Sequence, residues 1–124
     1  MTVGKIDLEI FKCISDDITT DEVVITDRQL AHIKEKHPQD YELYSEYIPD
    51  ILMDPDYILE ANKPSSAVLL KEVVSNNEKI QLVIRFKTRT DPKDYKNSII
   101  TFMKIRQKEW NRLLNNKKIL YSAT

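Results

Sequence analysis

The first hydrophobic pattern along the chain has a period of two. Residues 6–10 are I-D-L-E-I, so apolar and acidic positions alternate, which is typical of a strand with one buried face. The polar segment 16–21 predicts a loop, and the β-branched run at 22–25 leads from it to Thr26. We therefore expect an N-terminal strand region and loop over 1–25, ahead of the main core.

A helical pattern follows, and both of its ends are marked in the sequence. Thr26 and Gln29 have the spacing of a capping box, which predicts a helix beginning at Asp27. Pro38 disfavours the helical conformation of the residue before it, so the helix is expected to end by His37. Two further helical segments are predicted after this proline, at 39–47 and 49–53.

From residue 57 onward, β-branched and aromatic runs are separated by turns. A helix is predicted at 106–115, where Trp110, Leu113 and Leu114 recur at helical spacing. The predicted strands are 57–60, 67–74, 79–88, 98–105 and 119–122. This order predicts an α+β fold, with N-terminal helices, an antiparallel sheet of four to five strands, and a helix before the last strand. The 124 residues are expected to form a single domain, with its core over 26–121.

Composition excludes several classes of protein. With 41% hydrophobic and 31% charged residues, the chain is typical of globular proteins. We expect neither membrane insertion nor secretion, because there is no long apolar run and no charged-then-apolar leader. The single cysteine, Cys13, leaves no partner for a disulfide or a cysteine-pair zinc site, which favours a cytoplasmic location. The single glycine, Gly4, excludes glycine-rich phosphate loops, and no cofactor is expected.

Charge is distributed unevenly along the chain. Residues 1–78 contain 17 acidic and 7 basic side chains, whereas residues 79–124 contain 3 acidic and 12 basic ones. A basic block of this size suggests contact with a polyanion, of which RNA and DNA are the commonest. The alternative interpretation is that the two parts neutralise each other across the fold.

Both histidines lie in the first predicted helix and are the first candidates for proton transfer, because histidine exchanges protons near neutral pH. Arg28, His32 and Lys36 recur every four residues and line one face, whereas His37 lies on the face expected to pack inward. The two histidines project about 140° apart on an ideal helix. They reach one cleft only if the helix ends at His37 and turns it.

Structural interpretations of both histidines are favoured by spacing alone. His37 would then be a capping or packing residue, and His32 would be a solvated surface residue. A metal site is disfavoured, because histidines at i and i+5 do not share the helical face that zinc requires.

Two predicted strands carry polar side chains that could serve a site. Arg85 and Lys87 lie on the polar, basic face of strand 79–88. Thr101 has a hydroxyl among apolar neighbours. That hydroxyl either forms a hydrogen bond within the fold or is placed to contact a ligand.

A basic stripe follows the last of these strands. Lys104, Lys108 and Arg112 recur every four residues from the strand end into the last helix. A solvated helix face is the commoner explanation of such a stripe.

Four segments of the chain, taken in order, resemble a known family. They are T-D-R-Q-L-A-H-I-K-E-K-H-P, I-P-D-I-L-M-D-P-D-Y-I-L, K-N-S-I-I-T-F-M-K-I and W-N-R-L-L-N-N-K-K-I-L-Y. Over about 23–121 the chain resembles the phage-associated barnase–EndoU–colicin–RelE-like (PBECR-type) nucleases, small RNases found alone or appended to phage and mobile-element proteins. The resemblance implies N-terminal helices followed by an antiparallel sheet. It also implies a toxin-like hydrolase that cleaves RNA without a metal and is open to control by an immunity or antitoxin protein.

The resemblance also implies which residues form the site. Matched position by position, the family's motifs imply catalytic roles for His32, His37, Arg85 and Thr101. The terminal aromatic strand of the family implies a substrate contact for Tyr121. The other predicted substrate contacts are the basic residues of the helix face and of the strands, Arg28, Lys36, Lys87 and Lys104.

The sequence-based hypothesis is therefore an endoribonuclease in which the 2′-hydroxyl of RNA attacks the adjacent phosphate. The alternative is a non-catalytic accessory factor that has the same fold and binds RNA or a protein. Such a factor needs only the basic face. An accessory factor would bind RNA with an affinity that falls as the salt concentration rises, and it would form no cleavage product.

Overall fold

The computed structural model describes residues 1–73 and 77–123. The elements, in chain order, are β1 (Thr2–Lys5), β2 (Glu22–Val24), α1 (Asp27–Lys36), α2 (Asp40–Tyr44), α3 (Ile48–Met53), β3 (Tyr57–Glu60), β4 (Ser66–Val73), β5 (Glu78–Arg85), β6 (Asn97–Ile105), α4 (Gln107–Asn116) and β7 (Ile119–Ser122). Short 3₁₀ turns lie at Ile10–Cys13 and Ser45–Tyr47. Within the described ranges the strands form a seven-stranded sheet in the order β1-β2-β6-β5-β4-β3-β7.

The centre of the sheet is the antiparallel meander that the strand pattern predicts. In it β3, β4, β5 and β6 pair in succession. At one side β2 pairs in parallel with β6, placing Val23 opposite Asn97, and carries β1 at its outer edge. At the other side β7 pairs with β3. The predicted α+β class and the antiparallel pairing of the central strands are confirmed. The predicted count of four to five strands was wrong, because the sheet also contains β1 and β2, and β2 pairs in parallel with β6. A strand as short as the three residues of β2 carries too little alternation to reveal a distant partner.

The predicted first strand over 6–10 was also wrong. The strand lies earlier, at Thr2–Lys5, and the chain then turns. The turn is closed by Asp7, whose Oδ1 accepts the Glu9 amide at 3.0 Å and whose carbonyl accepts the Phe11 amide at 3.2 Å. Phe11 is fully buried, with its ring 5.4 Å from that of Phe86. Local aspartate bonding and burial of one aromatic ring thus prevailed over the alternating pattern.

The helix boundaries agree closely with the sequence signals. The α1 helix begins at Asp27, and the Thr26 hydroxyl accepts the Gln29 amide at 3.1 Å, as the cap pattern predicts. It ends at Lys36, one residue before His37. The predicted helix 39–47 divides into α2 and a 3₁₀ turn.

Most of the predicted strands are confirmed with small shifts. The strands at 57–60 and 119–122 are confirmed as β3 and β7. The prediction for 67–74 holds through Val73, and residue 74 lies outside the described residues. The strand predicted to reach residue 88 ends at Arg85 instead.

Helices cover both faces of the sheet. Alternate residues of β4 show this: Leu69 packs into a core with residues of α1 and α3, whereas Leu70 packs against Trp110 and Leu113 of α4. The first core is the larger, and it fixes α1 against β6. In the described part of the chain, no helix is long and apolar enough to cross a membrane.

Candidate active site

A pocket of about 220 Å³ lies between α1 and β6. It is lined by His32, Ile33, Lys36, His37, Ile100 and Thr101. Both histidines and Thr101, the strand residue that the sequence singles out, therefore border one cavity, together with a lysine.

The pocket exists because β2 is too short to cover the edge of β6. It pairs only with Asn97 and Ser98, so the rest of that edge packs against α1 and α2. The β5–β6 pairing also shifts register here, so that Ile100 has no opposite residue. Such bulges bend a strand and re-aim its side chains, and they are common beside functional sites.

The end of α1 brings the two histidines to the same cavity. His32 and Lys36 are four residues apart and share a helical face. His37 follows the last helical residue and has φ −138° and ψ 67°, so it has left the helical path. Its amide still donates to the Ile33 carbonyl at 2.8 Å. Because His37 lies outside the helix, the 140° separation expected on an ideal helix does not apply to it. Both histidines can therefore border the same pocket.

A carboxylate that the sequence did not single out lies beside His37. Asp40 Oδ2 is 3.9 Å from His37 Nδ1, and the same oxygen accepts the Lys104 amide at 3.0 Å. The side chains of His37 and Asp40 are only 29% and 23% exposed. The i, i+3 spacing across Pro38 could have suggested this pair. The anchoring amide, 64 positions away, could not be seen in the sequence.

His32 and Lys36 differ from His37 in having no internal partner. Both side chains are exposed, and neither forms a hydrogen bond or ion pair with any residue of the described ranges. They are therefore available to a ligand that enters the pocket.

Arg85 is engaged elsewhere. Its guanidinium binds both oxygens of Asp91, at 2.9 and 3.1 Å, and also donates to the Phe86 carbonyl at 3.0 Å. Asp91 accepts the Thr88 amide at 2.9 Å as well. The Asp91 hydrogen bonds raise the pKa of Arg85 further. Arg85 does not line the pocket. Its contacts with Phe86 and Asp91 stabilise the loop between β5 and β6.

The Arg85–Asp91 pair predicts a pH-dependent stability. Hydrogen bonds from Arg85, followed by those from Thr88, lower the pKa of Asp91 to about 2, against roughly 3.9 in an unfolded chain. Because the folded pKa is depressed, the stabilisation is complete above pH 4 and is lost as pH falls toward 2. We expect Asp91→Asn to lower the melting temperature by several degrees at pH 6. The difference in melting temperature between the variant and the wild type is expected to shrink as pH falls toward 2. Thermal denaturation at a series of pH values measures it.

The control for this prediction is Asp94→Asn. Asp94 is exposed in the same loop and has no partner among the residues described. If the loss of melting temperature in Asp91→Asn does not depend on pH, or if Asp94→Asn shows the same loss, the Arg85–Asp91 pair does not stabilise the fold in the way predicted.

The remaining predicted substrate contacts lie outside the pocket. Arg28 is exposed at the start of α1, about 12 Å along the helix axis from Lys36. The Lys87 amide donates to Asn97 beyond the end of β5. Lys104 pairs with Glu78 at 3.1 Å, and the Glu78 hydrogen bond raises the pKa of Lys104. Tyr121 is half-buried on β7, four strand positions from β6.

Within 1–73 and 77–123, no group of three or more histidine, cysteine, aspartate or glutamate side chains is placed to hold a metal ion. The groups that the pocket offers are imidazole, ammonium and hydroxyl.

Comparison with known proteins identifies the family. No curated protein and no solved structure matches the chain. The family model described as phage-Barnase-EndoU-ColicinE5/D-RelE like nuclease 2 matches residues 2–122, which include every residue of the pocket. This confirms the resemblance seen in the sequence segments. The chain belongs to the phage-Barnase-EndoU-ColicinE5/D-RelE like nuclease 2 family.

Proposed function

We propose that this nuclease is an endoribonuclease that cleaves RNA by transphosphorylation in the pocket between α1 and β6. The observation that carries the proposal is the meeting of His32, Lys36, His37 and Thr101 around one cavity, in a chain that belongs to a nuclease family. Two imidazoles supply a base and an acid, and a cation and a hydroxyl suit a phosphate.

The proposed reaction needs two proton transfers. His32 takes the proton of the ribose 2′-hydroxyl, whose oxygen then attacks the adjacent phosphorus. The bond from phosphorus to the 5′-oxygen breaks, and His37 gives its proton to that oxygen. The products are a 2′,3′-cyclic phosphate and a 5′-hydroxyl end.

The two histidines are assigned by their surroundings. His37 is assigned as the acid, because Asp40 Oδ2 lies 3.9 Å from its Nδ1 and orients the ring. His32 has no acidic partner among the residues described and is assigned as the base. Lys36 and Thr101 then contact the phosphoryl oxygens, where charge develops in the transition state.

Asp40 is a positioning residue in this scheme, and its removal has a specific expected result. We expect Asp40→Asn to lower kcat by about tenfold, which corresponds to the loss of a charge-assisted contact of about 1.4 kcal/mol. KM changes little, because Asp40 does not contact the substrate. A lower kcat at an unchanged KM is the result that distinguishes loss of positioning from loss of substrate binding.

A matched variant separates positioning from structure. Glu42→Gln removes an exposed carboxylate from the same helix, and Glu42 has no partner within the described residues. Its kinetics are expected to equal those of the wild type. An Asp40→Asn protein that melts at a lower temperature but keeps the wild-type kcat would contradict the positioning role.

The proposed function is tested by identifying the products. The purified chain is incubated with a mixed-sequence RNA in excess chelator, and the new ends are analysed chemically. We expect 2′,3′-cyclic phosphate and 5′-hydroxyl ends, and no cleavage of DNA of the same sequence, which lacks the nucleophile. RNA binding without any product would instead support the accessory-factor alternative.

A further inference from the structure

A second cavity lies farther along β6, toward the end of the strand, than the histidine pocket. It is a groove of about 510 Å³ between α4 and the exposed parts of β5 and β6. Its lining residues are Gln81, Met103, Lys104, Ile105, Arg106, Lys108, Glu109 and Arg112. This volume lies within the roughly 300–1,000 Å³ typical of ligand sites. The basic stripe that the sequence shows at every fourth position therefore borders a groove.

The charges around the groove do not cancel. Glu109 is held by Arg112, whose Nε lies 3.1 Å from both carboxylate oxygens, and Glu78 is held by Lys104. Arg106 and Lys108 are exposed, and neither forms an ion pair or hydrogen bond within the described residues. Two cations thus remain at the rim without counter-ions.

The floor of the groove is mainly apolar. Met103 is half-buried, Ile105 is 5% exposed, and Gln81 contributes an amide. A flat base could pack on the methionine and bond its polar edge to the glutamine, while phosphates meet the cations. Sites for single-stranded nucleic acid combine cations along the backbone with side chains on which bases pack, most often aromatic ones. In this groove Met103 takes the place of the aromatic ring. A duplex keeps its bases stacked inside and would leave the floor unused.

We propose that this groove binds single-stranded RNA next to the cleavage site. The choice of RNA rests on the proposed ribonuclease function. Lys104 connects the two sites: its side chain lines the groove, and its amide donates to Asp40, beside His37. Thr101 and Lys104 are about 10 Å apart along β6, so one strand of RNA can occupy both sites.

The test measures binding without cleavage. A fluorescein-labelled 2′-O-methyl oligouridine, which lacks a free 2′-hydroxyl, is titrated with protein by fluorescence anisotropy. We expect the double variant Arg106→Glu/Lys108→Glu to weaken binding by about tenfold or more and to reduce the salt dependence by about two phosphate contacts. Acidic residues at the start of α4 suit the helix dipole, so the variant is expected to keep the wild-type circular dichroism spectrum.

The control is a second double variant with the same change of charge at two lysines outside the groove. Lys63→Glu/Lys93→Glu alters two exposed lysines that lie outside the groove and have no partner in the described part of the chain. We expect it to weaken binding by less than about threefold. Equal losses in both variants, or equal competition by duplex RNA or polyglutamate, would overturn the groove as a site for single strands.

The outcomes also separate this inference from the proposed function. Groove-dependent binding by a protein that gives no RNA products refutes the nuclease mechanism and leaves the groove standing. Cleavage of RNA together with binding that ignores the groove charges refutes the groove alone.

Discussion

His32→Ala and His37→Ala are each expected to lower the rate of RNA cleavage by roughly 10²–10⁴-fold, the usual contribution of one positioned acid or base. Both histidines line the pocket, and each variant removes one of the two proposed proton transfers. The rate is measured from the release of 2′,3′-cyclic phosphate under single-turnover conditions, so that binding and product release do not obscure the chemical step.

The pH dependence distinguishes the two roles. With both histidines present, we expect a bell-shaped profile, because one ring must be neutral and the other protonated. Loss of the base removes the rise on the acidic side, and loss of the acid removes the fall on the basic side. His32→Ala is therefore expected to flatten the acidic limb and His37→Ala the basic limb.

The matched control is Glu35→Ala on the same helix. Glu35 is exposed, does not line the pocket, and has no partner within the described ranges. It is expected to cleave RNA at the wild-type rate. A His37→Ala protein that only loses stability, alongside a His32→Ala protein that behaves like the wild type, would show that both histidines are structural.

Asn97→Ala is expected to have the largest effect on folding stability among the polar positions considered. Asn97 is fully buried. Its Oδ1 accepts the Lys87 amide at 2.8 Å, and its Nδ2 donates to the Thr20 carbonyl at 2.7 Å. Alanine leaves both backbone groups without their partner, at a cost of roughly 1–3 kcal/mol for each group. Urea denaturation followed by circular dichroism measures the free energy of unfolding.

The neighbouring residue provides the comparison. Ser98 is half-buried on the same strand, and its hydroxyl forms no hydrogen bond within the described residues. Ser98→Ala is expected to change the free energy of unfolding by less than about 0.5 kcal/mol. If Asn97→Ala costs no more than Ser98→Ala, the asparagine does not hold the loops before β2 and after β5 together.

The parts of the fold that the sequence predicts are those determined by nearby residues. Thr26 and Pro38 mark the two ends of α1 because a cap and a proline act within four residues. The strand β3 is bounded by turn residues on both sides, at 54–56 and at 62–65. The parallel pairing of Val23 with Asn97 depends instead on which distant edge remains open after the meander has formed, and no local pattern encodes that.

The candidate site divides in the same way. His32, Lys36 and His37 belong to one short segment, so spacing alone brings them forward. The role of Asp40 depends on the Lys104 amide, and the role of Arg85 depends on Asp91 in the following loop. The sequence showed Arg85 as a basic residue on a polar strand face, and it remains a predicted catalytic residue whose guanidinium is engaged by a carboxylate. The catalytic role of Thr101 likewise stays a prediction, now with a place in the pocket.

The long separation between α1 and β6 has a consequence for how the activity arises during synthesis. Asp40 meets its anchoring amide 64 positions later, and the wall of the pocket formed by Ile100 and Thr101 is translated long after the histidines. Contacts between distant segments form late and slowly, because the intervening chain must be ordered first. A growing chain that ends before β6 therefore carries both histidines without the strand that forms the other wall of the pocket. The proposed activity can arise only after most of the chain has emerged from the ribosome.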